Sequence, residues 1–238
     1  MTKSYIISAN NLWQPKIIEN LTRKIPGEFI LIEDKKQLTF DFIKKINPQF
    51  IFFTHWSYYI SQEIYEKFEC IVFHMTDLPF GRGGSPLQNL ISRGIQETKL
   101  SAIKCVEEID AGPIYLKYPL SLLGTAQEIF ENANSIMEDM IVEIIKKKPT
   151  PQPQNGEPVY FTRRKPEEGN IANLDDLEKI YDYIRMLDAN NYPHAFIETD
   201  FLHFEFTQAT LLQGELIANV KITKKKNSKN SGSDSCSS

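Results

Sequence analysis

Apolar residues along this chain recur in two rhythms, and the alternation between them predicts the first part of the fold. Tyr5-Ile6-Ile7 reads as a short strand, and Ile17, Ile18 and Leu21 share one face of the helix after it. Residues 29–32 form a second strand, and Phe40 or Phe42 with Ile43 and Ile46 marks a short helix that stops before Pro48. The run Phe50-Ile51-Phe52-Phe53 shows no polar alternation, as expected of a parallel strand covered on both faces. A helix over residues 61–68 leads to another apolar run, residues 70–73, which ends in His74. Strands alternating with helices up to this point predict a doubly wound α/β sheet.

Past His74 the punctuation changes. A loop containing Pro79, Gly81, Gly83 and Gly84 runs to Ser85, a good N-cap, with Pro86 at the first helical position; that helix should reach about Arg93 and close at Gly94. Residues 98–106 alternate like a strand, and residues 113–119 form another, bounded by prolines that suit an edge or an end. Thr125-Ala126-Gln127-Glu128 fits a capping box. The helix it starts carries a core face of Ile129, Ile136, Met140, Ile141 and Ile144. It ends in Lys146-Lys147-Lys148, charges that suit the negative end of a helix dipole better than a nucleic-acid site.

Five Pro and Gly residues within 149–158 read as a stiff linker. Beyond it, residues 159–161 form a strand, residues 174–187 a helix capped by Asn173, and residues 201–206 and 216–222 a terminal β pair. From Thr223 the composition turns to Lys, Asn, Ser, Gly and Asp, too polar to fold. The division is therefore an α/β domain at 1–148, a linker at 149–158, a small C-terminal α+β region at 159–222 and a disordered tail at 223–238, with no internal repeat.

With 238 residues, 41% hydrophobic and 24% charged, the chain has the composition of a globular protein able to bury a sizeable core. A net charge of −4 argues against a broad nucleic-acid footprint. Cys70, Cys105 and Cys236 are too few and too scattered for a disulfide framework or a metal cluster, and fit a reducing cytoplasm. No secretory leader and no apolar run of membrane-spanning length is read, which predicts a cytoplasmic protein away from the membrane.

Chemistry concentrates where strands end. In open α/β sheets the loops leaving the strands line the ligand crevice, so His74 stands where acid–base work is done, although the same position suits a hydrogen-bonded loop histidine. Asp110 also follows a strand-like segment and precedes Gly112-Pro113. A His/Asp pair brought together from two strand ends suits general acid–base catalysis. The aromatic stretch Thr54-His55-Trp56-Ser57-Tyr58-Tyr59-Ile60 can wall a pocket or cover a sheet edge. Arg82, among glycines, suits an anion contact or an exposed loop arginine. Asp77 suits an amine contact or a turn cap, and Arg163-Arg164-Lys165 a diphosphate contact or a solvated basic turn.

His74-x-Thr76-x-Leu78-Pro79-x-x-x-Gly83 resembles the His-x-Ser-Leu-Leu-Pro-x-x-x-Gly signature of formyltransferases that use N10-formyltetrahydrofolate, and Ile109-Asp110-Ala111-Gly112-Pro113-Ile114 resembles the segment with that family's catalytic aspartate. Gly83-Gly84-Ser85-Pro86-Leu87-Gln88, the Thr125 helix, Pro151-Gln152-Pro153-Gln154 and Tyr192-Pro193-His194-Ala195-Phe196 extend the resemblance over residues 4–200. It implies a Rossmann-like formyltransferase core and N10-formyltetrahydrofolate as formyl donor. It also implies His74, Asp110 and Thr76 in catalysis, and Trp56, Ser57, Tyr58, Gly83 and Ile109 against the folate. Asp77, Arg82 and Arg163 are then candidates for the acceptor, with no metal. One departure stands out, because the family's asparagine two residues before the histidine is here Val72, which cannot donate a hydrogen bond.

The resemblance also directs the choice of acceptor. Methionyl-tRNA formyltransferases carry a further basic β domain, which neither the length nor the charge here supplies. Glycinamide ribonucleotide formyltransferases have a glycine-rich loop after the first strand, where this chain has Ser8-Ala9-Asn10-Asn11-Leu12-Trp13. The sugar N-formyltransferase group remains, with the loop at 72–77 similar to its pseudaminic-acid branch. The expectation is therefore formylation of a nucleotide-linked amino-deoxysugar for surface glycans, with no nucleic acid and a homodimer paired through the terminal strands. A formyl-folate enzyme acting on another amine or on water, and an inactive binding module, stay open as alternatives.

Overall fold

The computed structural model describes residues 2–9 and 16–225. The segment Asn10–Trp13 of the first βα loop and residues 226–238 of the expected tail lie outside them. Two compact units divide the chain between Arg164 and Lys165.

The first unit opens with β1 (Ser4–Ala9), α1 (Ile17–Lys24), β2 (Glu28–Ile32), α2 (Phe40–Ile46), β3 (Phe50–Thr54), α3 (Gln62–Lys67) and β4 (Cys70–His74). It continues with β5 (Phe80–Gly83), α4 (Pro86–Ile91), β6 (Glu97–Lys104), β7 (Ile114–Ser121), α5 (Ala126–Lys147) and β8 (Val159–Phe161). The main sheet has the order β2-β1-β3-β4-β6-β7, with β1 to β4 mutually parallel as the helix–strand alternation predicts. Ile6, Ile32, Ile51, Phe53 and Cys70 face Ile43 of α2 and Ile64 of α3, forming one buried cluster in which Val72 and Cys105 also pack. Alternation along each strand leaves Ile7, Phe52, Ile71 and Phe73 to the opposite layer, where α1 and α5 meet through Asn20 and Glu138.

Four expectations change here. β6 runs antiparallel to β4, and β7 antiparallel to β6, so the doubly wound pattern stops at His74. Residues 80–83, read as loop, form a short strand parallel to β8. Residues 149–158, read as a stiff linker, are docked: Gln152 and Ile114 exchange two backbone hydrogen bonds of 2.7 and 2.8 Å, and just beyond them Val159 N–H donates to Pro79 O at 3.1 Å. An extended, proline-rich backbone keeps unpaired polar groups, and these find a strand edge. Ser85 does not cap α4 through its side chain, because its Oγ accepts the Arg164 N–H instead, at 3.0 Å.

The second unit holds α6 (Leu177–Arg185), β9 (Ala195–Glu198), β10 (Leu202–Leu212) and β11 (Glu215–Lys224), with the strands in one antiparallel sheet ordered β11-β10-β9. Asp176, not Asn173, caps α6, its carboxylate accepting the Lys179 N–H at 2.8 Å. Thr223 and Lys224, assigned to the tail, extend β11. No helix among the described residues is long and apolar enough to cross a membrane.

Thr125 and Glu128 form the expected capping box: Glu128 N–H donates to Thr125 Oγ1 at 3.3 Å, and Thr125 N–H to Glu128 Oε2 at 2.8 Å. The Thr125 backbone N–H, then its hydroxyl, hold the Glu128 carboxyl below the usual glutamate range. Its stabilising contribution is therefore present above the ordinary glutamate pKa and fades as pH falls through the lowered value. Thr125→Ala is expected to cost about 1 kcal/mol at pH 7, with a smaller penalty at acid pH, as measured by urea unfolding at both.

Candidate active site

His74 ends β4 and is buried. Its Nε2 lies 2.8 Å from the carbonyl oxygen of Gly81, which can only accept, so the ring carries a hydrogen there. Nδ1 turns the other way and faces Asp110 Oδ2 at 3.5 Å. The loop that supplies Gly81 O is pinned beneath the ring: Thr76 Oγ1 also reaches this oxygen at 3.4 Å, and Ser101 Oγ donates to Thr76 O at 2.7 Å.

Asp110 arrives by an indirect route. Because β6 is antiparallel to β4, with Ile71 opposite Lys104, its carboxyl end lies at the edge of the sheet away from His74. The loop of residues 105–113 must therefore run back. It does so by pressing Gly112 onto its own strand, where a Cβ would stand 1.7 Å from Lys104 O, and by holding Asp110 in the left-handed region at φ 55°. Asp110 Oδ2 then accepts the Gly83 N–H at 2.9 Å. Gly83 itself has φ +104° and lies so close to β8 that a Cβ would meet Phe161 O at 2.4 Å.

The other residues expected in catalysis or against the folate fall into two groups. Thr76 is fully buried beside His74, and Gly83 touches Asp110. Ile109, next to Asp110, is 67% exposed. In the β3–α3 loop, Ser57 is exposed and Tyr58 half exposed, with Lys35 Nζ 5.0 Å from its ring. Trp56 packs edge-on to Phe53 and Tyr58, its buried Nε1 without a hydrogen-bond partner. These side chains offer apolar, aromatic surface with few polar groups.

Two candidates for acceptor contact are engaged by the protein itself. Asp77 pairs with Lys117 at 2.5 Å and with Lys99 at 3.0 Å. Burial opposes its ionisation, yet hydrogen bonds and charge from the two lysines hold the carboxyl below the usual range, leaving no free acid to meet an amine. Arg82 is almost buried; its Nη1 donates to Glu108 Oε1 at 2.9 Å and to Tyr160 Oη at 3.3 Å, while Nε and Nη2 reach Gln154 Oε1 at 3.2 and 2.9 Å. Arg163 is exposed after β8, its Cβ against Gly84.

The sequence assigns no role to Lys99, Lys117, Glu108, Gln154 or Tyr160, and Gln154 falls in a linker whose prolines hide an ordered segment. Burial, then the Asp110 carboxylate, push the Cys105 thiol up to about 11, and burial raises Cys70 further, so neither supplies a thiolate nucleophile. No group of three metal-ligating side chains occurs among the described residues.

Comparison with known proteins narrows the chemistry. A family model of the methionyl-tRNA formyltransferase C-terminal domain matches residues 166–223. A methionyl-tRNA formyltransferase from Thermodesulfovibrio yellowstonii is 30% identical over 166 residues, covering 65% of this chain and 54% of that protein, so the chain spans about half of this relative's length. The structure of a methionyl-tRNA formyltransferase from Clostridium thermocellum aligns with a TM-score of 0.90 and 50% identity, covering 94% of this chain and 100% of that one. HypX from Aquifex aeolicus, solved in complex with tetrahydrofolic acid, shares the fold at TM-score 0.72 and 16% identity, over 87% of this chain and 38% of its own. A sugar N-formyltransferase from a Shewanella species shares the fold at TM-score 0.64 and 15% identity, over 91% and 96%.

The Clostridium thermocellum match overturns the amino-sugar acceptor, and with it the nucleotide-sugar, pseudaminic-acid and glycan expectations. The exclusion of nucleic acid falls too, since it rested on whole-chain charge, which does not describe any one face.

Gly83→Ala puts a side chain into a backbone contact at a φ that L residues rarely adopt. It is expected to destabilise the protein by about 1–3 kcal/mol, read from the urea midpoint; an unchanged midpoint contradicts the close β5–β8 approach.

Proposed function

The chain belongs to the formyltransferase family, and on that premise we propose that it transfers the formyl group of N10-formyltetrahydrofolate to the amino group of methionyl-tRNA. The observation that carries this reading is the pairing of buried His74 with half-buried Asp110, set within a chain half identical to a methionyl-tRNA formyltransferase along the whole of that solved chain.

The chemistry requires a proton to leave the attacking amine and reach the departing folate nitrogen as one C–N bond forms and another breaks. His74 Nδ1 is the ring position able to take that proton, because Nε2 is committed to Gly81 O. Asp110 Oδ2, fixed by the Gly83 N–H, then faces the charged ring and stabilises it. Thr76 acts through Gly81 O, which it shares with the ring. Bound N10-formyltetrahydrofolate supplies the activated formyl carbon. Its flat bicyclic ring suits the exposed faces of Tyr58 and Ile109 and the half-buried Trp56, with Ser57 at the rim.

For the tRNA, charge distribution limits the contacts. Residues 165–225 carry eleven Asp and Glu against six Lys and Arg, so taken as a whole this unit supplies no basic excess toward a phosphate backbone. Arg163, exposed just before the unit boundary, is the cation assigned to the acceptor end.

The test mixes the full chain with N10-formyltetrahydrofolate and charged methionyl-tRNA, hydrolyses the ester and weighs the released amino acid. Formyl-methionine is the expected product, and free methionine alone sinks the assignment. His74→Asn is expected to lower kcat about 10²- to 10⁴-fold while folate still binds; turnover at the unaltered rate removes His74 from the proton path.

A further inference from the structure

Gln154 lies in a segment whose composition reads as a spacer, yet its side chain is saturated with hydrogen bonds to the site. Its amide Nε2 donates to the carbonyl oxygens of Asp110 at 2.7 Å and Gly112 at 2.9 Å. Its Oε1 accepts from Arg82 Nε and Nη2 at 3.2 and 2.9 Å. The orientation of the amide is fixed by these partners, since turning it over would set NH₂ against a guanidinium and oxygen against two carbonyls. Arg82 closes the ring of contacts through Glu108, which also accepts the Tyr160 hydroxyl at 2.8 Å.

We propose that Gln154 is a positioning residue for the transfer reaction, holding the turn that aims Asp110 at His74. The turn needs holding: Asp110 sits at φ 55°, a region uncommon for non-glycine residues even though aspartate tolerates it better than most. Gln154 grips the carbonyls on either side of Ala111, and Asp110 Oδ2 then meets the Gly83 N–H and the His74 ring at once. The side chain is not required to dock its own segment, because the backbone bonds between Gln152 and Ile114 and between Val159 and Pro79 already do so. Neither close relative of the side chain can replace it: glutamate presents oxygen to the two carbonyls, and asparagine is one methylene too short to span them and Arg82.

The test uses Gln154→Leu and Gln154→Glu in the full chain, each alone and combined with Asp110→Ala. Its kinetic part rests on the methionyl-tRNA reading; its spectroscopic part does not. Each single variant is expected to lose about 10- to 100-fold in single-turnover rate, with KM for both substrates nearly unchanged and cooperative unfolding retained at a lowered thermal midpoint. In the Asp110→Ala background neither change should lower the rate further, because the two residues act on one interaction. By ¹⁵N NMR, the Gly83 amide of both variants should move toward its Asp110→Ala position and lose exchange protection. A native rate in Gln154→Leu, losses that multiply with that of Asp110→Ala, or loss of cooperative unfolding would overturn the proposal. If the native protein makes no formyl-methionine, the acceptor reading fails on its own, and the Gly83 amide decides: a shift supports the clamp and an unmoved resonance overturns it.

Discussion

Asp110 can face His74 only because the loop that bears it doubles back along the strand it has just left. That reversal places demands on residues far apart in sequence. Gly112 has to lie against Lys104 O, and Asp110 has to hold a left-handed backbone. Gly83 has to present its N–H from a strand that exists only because β8 pairs beside it. Arg82, nearly buried, then needs compensation, which Glu108, Gln154 and Tyr160 provide together. One carboxylate position thus accounts for residues that composition alone marks as turn, linker and surface charge.

Much of this was legible, but unevenly. The apolar runs at 5–7, 29–32, 50–53 and 70–73 gave four strands in the correct layer, since continuous apolarity is what a sheet covered on both sides demands. His74 was visible as the polar residue ending one of them. The direction of β6 was not read from its alternation, so the route of Asp110 could not be drawn even though its pairing with His74 could. Arg82 and Asp77 looked available because a sequence shows charges without their partners. The groups that occupy them lie 26 and 40 residues away for Glu108 and Lys117. The proline count at 149–158 reported stiffness correctly and said nothing about where a stiff segment lies.

The acceptor was misread for a related reason. Net charge is a sum over surfaces that never act together, and the acidic excess is concentrated after Lys165. Val72 shows the opposite case, a residue judged correctly by type: it stands on the same strand face as His74 and packs into the cluster of Phe53, Cys70 and Ile51, contributing burial where a polar side chain would contribute a donor.

The placement of the compact boundary after Arg164 also bears on how such chains can be recombined in evolution. A crossover at the proline-rich stretch, where composition marks a natural seam, would separate Gln154, Tyr160 and Phe161 from the loop and strand they complete. A crossover just downstream of Arg164 leaves that machinery whole. Exchange of residues 165 onward can therefore leave residues 149–164 with the unit they complete, so the seam of modular exchange lies beyond the one the prolines advertise.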